Sequence, residues 1–168
     1  VQILVRFPPS DTVRGLDGLS NRGRIFFDRP RSAFEVIKKT ELGKDADIHL
    51  IDTLASCDAV VTGPSTICID AAFFNKPIIL VGFDGYETRS YFKSLRRYFD
   101  YDHWQQVLQS GGVQLARSAD ECVAYVKKYL ENPTLDSAGR QRIVTEQAYR
   151  ADGMATERLA EILLSYLD

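Results

Sequence analysis

The chain has 168 residues, of which 45% are hydrophobic and 26% charged, so it holds enough apolar material for the core of one globular domain. Its 21 basic and 23 acidic side chains give a formal net charge of -2, which argues against binding of nucleic acid or membranes driven by bulk charge. No apolar run reaches the roughly 18 residues of a membrane-spanning helix. Three cysteines without a Cys-x-x-Cys pair indicate reduced thiols and a cytoplasmic protein.

The amino terminus lies within an apolar stretch, residues 1–5, and has no initiator methionine. We interpret the chain as a domain excised from a longer protein whose preceding half is missing. The alternative is a complete protein processed from a tag.

Apolar runs alternate with helical patterns along the chain. Strands are predicted at residues 2–6, 24–27, 59–62, 77–81 and 112–116. Helices are predicted at residues 32–41, 48–56, 66–74 and 91–109, and again after residue 118. Several strands are apolar throughout, which is typical of parallel strands covered on both faces. The pattern predicts an α/β fold with a Rossmann-like parallel sheet and helices on both faces.

The carboxyl-terminal part is predicted to be helical from about residue 134 to residue 168. Before it, Ser118 to Glu121 has the form of a capping box, and the apolar residues that follow are expected on one helix face: Val123, Val126 and Leu130. The last helix is predicted from an apolar stripe of Leu159, Ile162, Leu163, Tyr166 and Leu167.

The segment from Asp58 to Pro77 contains the residues that predict a ligand-binding site. A buried strand ends at Gly63-Pro64, and Ser65 and Thr66 are predicted to open a helix. Glycine allows a ligand to approach the backbone, and proline suits the first helical position. Free N–H groups and two hydroxyls there predict an anion site that fits a diphosphate. The alternative is that Ser65 or Thr66 only caps the helix.

Asp70 is the only charged residue between Asp58 and Lys76, and it lies one helical turn after Thr66. A carboxylate buried at this position would need a partner. A ribose hydroxyl pair is one candidate partner, and a basic side chain from elsewhere in the fold is the other. Asn75 is expected to end the helix in the left-handed conformation.

The stretch from Ser65 to Pro77 resembles the donor-binding signature of GT-B-type glycosyltransferases, which have two facing Rossmann-like domains. That superfamily includes the CDP-glycerol glycerophosphotransferases and the UDP-N-acetylglucosamine 2-epimerases. Asp70 stands where Glu is usual, Asn75 where Gly is usual, and Thr62 where some members have a further acidic residue.

Two flanking stretches agree with the resemblance. Arg6-Phe7-Pro8-Pro9 is similar to the Arg-Pro-His-Pro of the capsule and teichoic-acid relatives, with Pro8 in place of the His. Arg6 is therefore a candidate phosphate contact, with a surface arginine as the alternative. The stretch from Ala151 to Arg158 resembles the Asp-Gly-x-Ala-x-x-Arg stretch near the end of those relatives, and we interpret it as a helix start.

The resemblance implies that residues 1–168 form a single nucleotide-binding domain, the C-terminal half of a larger enzyme of polysaccharide biosynthesis. Its partners would be a nucleotide sugar, which is a substrate and not a cofactor, and a missing N-terminal acceptor domain or partner subunit. Membrane association would be peripheral and would come only through that missing half. Donor- and phosphate-binding residues would be Gly63, Pro64, Ser65, Thr66, Asp70 and Arg6.

Other residues receive weaker assignments. His49 could contact the nucleobase or ribose, or could be a partly exposed helix histidine. The basic and aromatic residues from Tyr91 to Trp104 are interpreted as a packing helix and not as a nucleic-acid site. The sequence predicts no metal site, no thiol catalysis and no identified catalytic residue.

Three other functions remain open on the sequence alone. They are a sugar-nucleotide epimerase of the same fold, a donor-binding subunit that needs a partner chain, and a non-catalytic α/β domain.

Overall fold

A computed structural model describes residues 1–7, 23–28 and 44–167. The helix predicted over residues 32–41 and the prolines Pro8 and Pro9 lie outside these residues. The chain divides into two compact units, Val1–Thr53 and Leu54–Asp168.

The first unit contains two parallel strands, β1 (Ile3–Arg6) and β2 (Ile25–Asp28). Their register pairs Ile3 with Ile25 and Arg6 with Asp28, so both strands end at the same edge. Ile3, Leu4 and Phe26 are each about half exposed. The expectation of strands covered on both faces is therefore wrong for this pair, although both strands lie within one residue of their predicted positions.

Helix α1 (Lys44–Ser56) begins in the first unit and ends in the second. It starts four residues before the predicted helix over residues 48–56. Asp45 and Asp47 in its first turn are favourable there, because carboxylates interact well with the amino end of a helix.

The second unit contains a parallel sheet of three strands, β3 (Val60–Thr62), β4 (Ile78–Val81) and β5 (Gln114–Ala116), with β4 in the centre. Ile78, Ile79 and Leu80 are fully buried. Successive strand residues point to opposite faces, so both faces of β4 are covered. The described strands thus form two parallel sheets where one was expected, and the fold is α/β, as predicted.

Two helices flank this sheet. Helix α2 (Ile67–Phe73) connects β3 to β4 and packs against both strands. Helix α4 (Ala119–Glu131) packs on β4 and β5, where Tyr129 joins Ile79 and Ala116 in a buried cluster.

The single helix predicted over residues 91–109 is wrong. Two short 3₁₀ turns, Tyr91–Lys93 and Leu95–Asp100, precede helix α3 (Asp102–Gln109). Ser94 is extended between the turns, and its hydroxyl accepts a hydrogen bond from Arg96 N at 3.1 Å. Side-chain bonds to the backbone of this kind compete with helical hydrogen bonding. The packing interpretation is confirmed for Phe99 and Trp104, which are buried, but it is wrong for Phe92, which is 79% exposed.

The capping box before α4 is confirmed with one difference. Ser118 Oγ accepts from Glu121 N at 3.1 Å, but Glu121 Oε2 accepts from Arg117 N at 2.7 Å instead of from Ser118 N. The predicted apolar face is right only for Val126, which packs against the buried cluster. Val123 is 53% and Leu130 38% exposed, and Tyr129 is the buried residue of the helix.

Helices α5 (Ser137–Ala148) and α6 (Ala155–Leu164) confirm the helical carboxyl-terminal part. Helix α5 packs against α2. The stretch before α6 forms a helix start, in which Asp152 accepts from Met154 N and from the Arg158 guanidinium. The predicted stripe is exposed throughout, and it consists of Leu159, Ile162, Leu163, Tyr166 and Leu167. No helix within the described residues is long and apolar enough to cross a membrane.

Candidate functional site

The turn Gly63–Thr66 follows the carboxyl end of β3, which is not buried as predicted, since Val61 is 49% exposed. The register pairs Thr62 with Leu80, so the turn lies at the edge of the sheet where β4 also ends. Ligands of open parallel sheets bind at this edge. Ser65 and Thr66 are exposed, and Gly63 and Pro64 are half-buried.

Helix α2 begins later than predicted. Its first residue is Ile67 and its N-cap is Thr66, so Ser65 does not open the helix and Pro64 does not occupy the first helical position. The cause is local. Thr66 already has helical dihedral angles, whereas Gly63 and Pro64 form a bend. Pro64 disfavours a helical conformation at Gly63, the residue before it.

The capping alternative is only weakly supported by the geometry. The Thr66 hydroxyl makes no capping hydrogen bond, and Ser65 Oγ accepts from Ile67 N at the long distance of 3.5 Å. Both hydroxyls therefore remain available to a ligand.

The backbone of the turn is also open. Across the described ranges 1–7, 23–28 and 44–167, no hydrogen-bond acceptor pairs with the N–H of Ser65 or of Thr66. A methyl group built on Gly63 would meet no heavy atom within 4 Å. The two amides and the two hydroxyls can donate hydrogen bonds to the oxygens of a phosphate group, and the free space beside Gly63 leaves room for it.

Asp70 lies one turn after Thr66, since its N–H reaches Thr66 O at 3.4 Å. Its side chain is exposed, so the carboxylate does not need a protein partner to offset the cost of burial. Neighbouring protein atoms that shield the carboxyl group from water raise its pKa. Within the part of the chain that the structure describes, no basic side chain forms a salt bridge with Asp70. The carboxylate is thus free to accept hydrogen bonds from a ligand.

The end of the signature has a structural role. Asn75 has φ 51°, as expected for a residue that ends a helix. Its Oδ1 accepts from Arg140 Nε at 2.9 Å and from Ser137 Oγ at 3.0 Å. Lys76 Nζ donates to Ala55 O at 2.8 Å, near the end of α1. These contacts fix both ends of the loop that leads into β4.

The first unit brings Arg6 and His49 together through a residue that the sequence analysis missed. Arg6 donates to Asp28 Oδ2, and His49 Nε2 lies 3.1 Å from the same oxygen. Asp28 could have been found from its position, because it ends a strand whose parallel neighbour ends at Arg6. Arg6 is therefore already paired with a carboxylate, and His49 is partly exposed, as the sequence suggested.

The second unit also has a pocket of about 240 Å³, at the opposite end of the sheet. Its lining includes Asp58, Asn75, Pro77 and Tyr129, which precede or flank the amino ends of the strands. Its volume is below the roughly 300–1,000 Å³ of ligand pockets. This pocket is not at the proposed phosphate site.

The cysteines lack the environment of reactive thiols. Burial raises the pKa of Cys57, Cys68 and Cys122, that of Cys68 to about 11, so each stays protonated at neutral pH. No cluster of three or more metal-binding side chains occurs among the residues that the structure describes.

Comparison of the chain with protein-family models, with curated proteins and with solved structures finds no match.

Proposed function

We propose that this chain binds the diphosphate of a nucleotide-activated sugar, or of a related activated donor, at the turn Gly63–Thr66. It would be the donor-binding half of a GT-B-type glycosyltransferase. The observation that carries the proposal is the turn itself: two exposed hydroxyls and two unpaired amides follow a half-exposed strand of a parallel sheet, at the edge where such sheets bind ligands.

Asp70 would accept hydrogen bonds from the ribose hydroxyls of the same nucleotide. Its exposure, its position one turn from Thr66 and its lack of a protein partner in the described residues support this role. An ionised carboxylate accepts only, so it suits a pair of hydroxyl donors and repels the diphosphate. The diphosphate is therefore expected on the Gly63 side and the ribose on the Asp70 side.

In the transfer reaction, the turn would stabilise the negative charge that develops on the leaving diphosphate. Amide and hydroxyl donors that are already oriented need little reorganisation when this charge forms. Arg6 and His49 belong to the first unit, and their contact with a donor is a prediction from the motif resemblance alone.

The proposal is tested by amide-resolved NMR of the labelled chain during titration with UDP, CDP and GDP. We expect the largest shifts at Gly63, Ser65, Thr66 and Asp70 for at least one nucleotide. Shifts confined to the pocket beside Pro77 and Tyr129, or no shifts at millimolar nucleotide, would contradict it.

A further inference from the structure

The proposed phosphate site has hydrogen-bond donors but no positive charge of its own. The amides and hydroxyls of Ser65 and Thr66 are neutral, and the one charged residue of α2, Asp70, is acidic. A diphosphate is multiply charged, and hydrogen bonds to a charged donor are about twice as strong as those between neutral groups. A cation that reaches the turn would therefore add most to the binding of a diphosphate.

Arg117 is a basic residue at the same edge of the sheet. It directly follows β5, whose register pairs Ala116 with Val81, while Thr62 of β3 pairs with Leu80. The ends of β3 and β5 are two inter-strand spacings apart, about 9.6 Å. Arg117 and the turn Gly63–Thr66 thus follow the carboxyl ends of two strands that have only β4 between them.

The residues directly after β4 provide no cation at this edge. Gly82 has no side chain, and its N–H donates to Ala116 O at 2.8 Å, which places it beside the end of β5. Phe83 packs against the buried cluster, and Asp84 Oδ1 accepts from Leu95 N at 2.7 Å. A positive charge at the ends of the three strands therefore comes from β5.

The guanidinium of Arg117 is available to a ligand. Arg117 is exposed, and within residues 1–7, 23–28 and 44–167 its side chain has no hydrogen-bond acceptor and no salt-bridge partner. Its backbone N–H donates to Glu121 Oε2 at 2.7 Å, which fixes the chain at this point.

The arginines that follow β4 are already engaged within the protein. Arg89 pairs with Glu87, Arg96 donates to Ser94 Oγ, and Arg97 donates to the Tyr98 hydroxyl. Lys93 is exposed, but it lies in a 3₁₀ turn and not at a strand end.

We propose that Arg117 binds the second phosphate of the nucleotide, the one further from the ribose, and so makes the site prefer nucleoside diphosphates to nucleoside monophosphates. This inference rests on the proposed function. With the ribose at Asp70 and the first phosphate at the turn, the second phosphate extends from Gly63 toward the end of β5. A guanidinium can donate two parallel hydrogen bonds to such a group.

The test is calorimetric titration of the chain and of Arg117→Gln with UDP, CDP and GDP and with the matching monophosphates. For a nucleotide that binds, we expect Arg117→Gln to weaken the diphosphate about tenfold and the monophosphate by less than about twofold. Arg117→Lys keeps the charge without the planar fork, and we expect a diphosphate loss of about threefold. Lys127→Gln removes an exposed charge further along α4 and should bind both nucleotides as wild type does.

The outcomes separate this inference from the proposed function. If Arg117→Gln binds diphosphates as Lys127→Gln does, or loses monophosphate and diphosphate equally, the role of Arg117 is wrong while the turn can still be the phosphate site. If wild type binds no nucleotide, both are wrong. If Arg117→Gln fails to fold by circular dichroism, Arg117→Lys decides: a folded Arg117→Lys with the wild-type ratio of diphosphate to monophosphate affinity overturns the inference.

Discussion

Arg140 donates its Nε hydrogen to Asn75 Oδ1 at 2.9 Å, and Asn75 has the left-handed conformation that ends α2. Arg140 is fully buried, and its other donors reach Leu135 O at 2.7 Å and Pro133 O at 2.9 Å. This burial lowers the pKa of Arg140. The side chain of Asn75 thus provides an acceptor for a buried cation, which glycine, usual at this position in the resembled signature, could not do.

Substitutions of Asn75 separate its backbone role, which is to end α2, from its side-chain role, which is to accept a hydrogen bond from Arg140. Asn75→Gly keeps the backbone conformation but removes the acceptor, so we expect it to lower the free energy of unfolding by about 1.5–3 kcal/mol. Asn75→Asp keeps an acceptor opposite the guanidinium and should retain stability. Urea denaturation measures both, with Ser137→Ala as a control that removes only the second donor. Equal stability of Asn75→Gly and wild type would show that Arg140 needs no acceptor there.

Three glycines, Gly111, Gly112 and Gly139, meet where α5 approaches the segment before β5. A Cβ on Gly139 would lie 2.2 Å from Gly111 C, and one on Gly112 would lie 2.5 Å from Arg140 N. These neighbours are backbone atoms that cannot rotate away. Gly139→Ala is therefore expected to cost about 3 kcal/mol or to prevent folding.

Gly63→Ala is the matched control, since it adds the same methyl group where no atom lies within 4 Å. It should leave the thermal unfolding midpoint unchanged. A Gly139→Ala protein as stable as Gly63→Ala would contradict this packing.

The strands could be predicted from sequence because short apolar runs bounded by glycine, proline and aspartate are typical of strands, although these runs did not reveal that Ile3, Phe26 and Val61 are half exposed. All five were found within two residues. The three residues Ser94, Asp84 and Leu95 show why the region 91–109 was mispredicted. Asp84 Oδ1 accepts from Leu95 N at 2.7 Å, which breaks the helix through a residue 11 positions away. Apolar periodicity contains no information on such a bond.

The residues of the candidate site could be predicted from the sequence, but their exposure to solvent could not. The turn Gly63–Thr66 was identified from residue types, yet the exposure of Asp70 depends on how α2 packs. Asp28 was missed for a similar reason, because only strand pairing places it beside Arg6. The exposed stripe around Leu159 and Ile162 shows that apolar periodicity predicts a helix but not what covers it.

Asp70 is expected to contribute to binding more than to folding. Its pKa is raised by desolvation, so its charge opposes folding above the folded-state pKa, and this penalty disappears as the pH falls through that value. At neutral pH the free energy of unfolding of Asp70→Asn should therefore equal that of wild type or exceed it by about 0.5 kcal/mol. At acid pH this difference should shift in favour of wild type.

Nucleotide affinity should fall in Asp70→Asn and stay unchanged in Glu131→Gln, which removes an exposed charge at the end of α4. Calorimetry and thermal unfolding measure the two effects. A large loss of stability with unchanged affinity would identify Asp70 as a structural residue.

We expect this chain alone to turn over no glycosyl donor. Transfer needs the donor and the acceptor hydroxyl aligned together, and that alignment can supply about 7–11 kcal/mol of the barrier. In the resembled enzymes the acceptor site belongs to the other half. Incubation with a panel of nucleotide sugars and simple acceptors, followed by measurement of released nucleotide, tests this expectation. Steady release that Ser65→Ala combined with Thr66→Val abolishes would place the catalytic apparatus within these residues.

The central claim is tested most directly by calorimetric titration of the chain with UDP, CDP, GDP and inorganic pyrophosphate. We predict that at least one nucleotide binds, and that Ser65→Ala combined with Thr66→Val weakens it about tenfold or more, a loss of about 1.4 kcal/mol. Ser165→Ala combined with Thr145→Val removes the same groups from exposed positions elsewhere and should have no effect. Absence of nucleotide binding by the folded chain, or equal affinity in both double variants, would contradict the account.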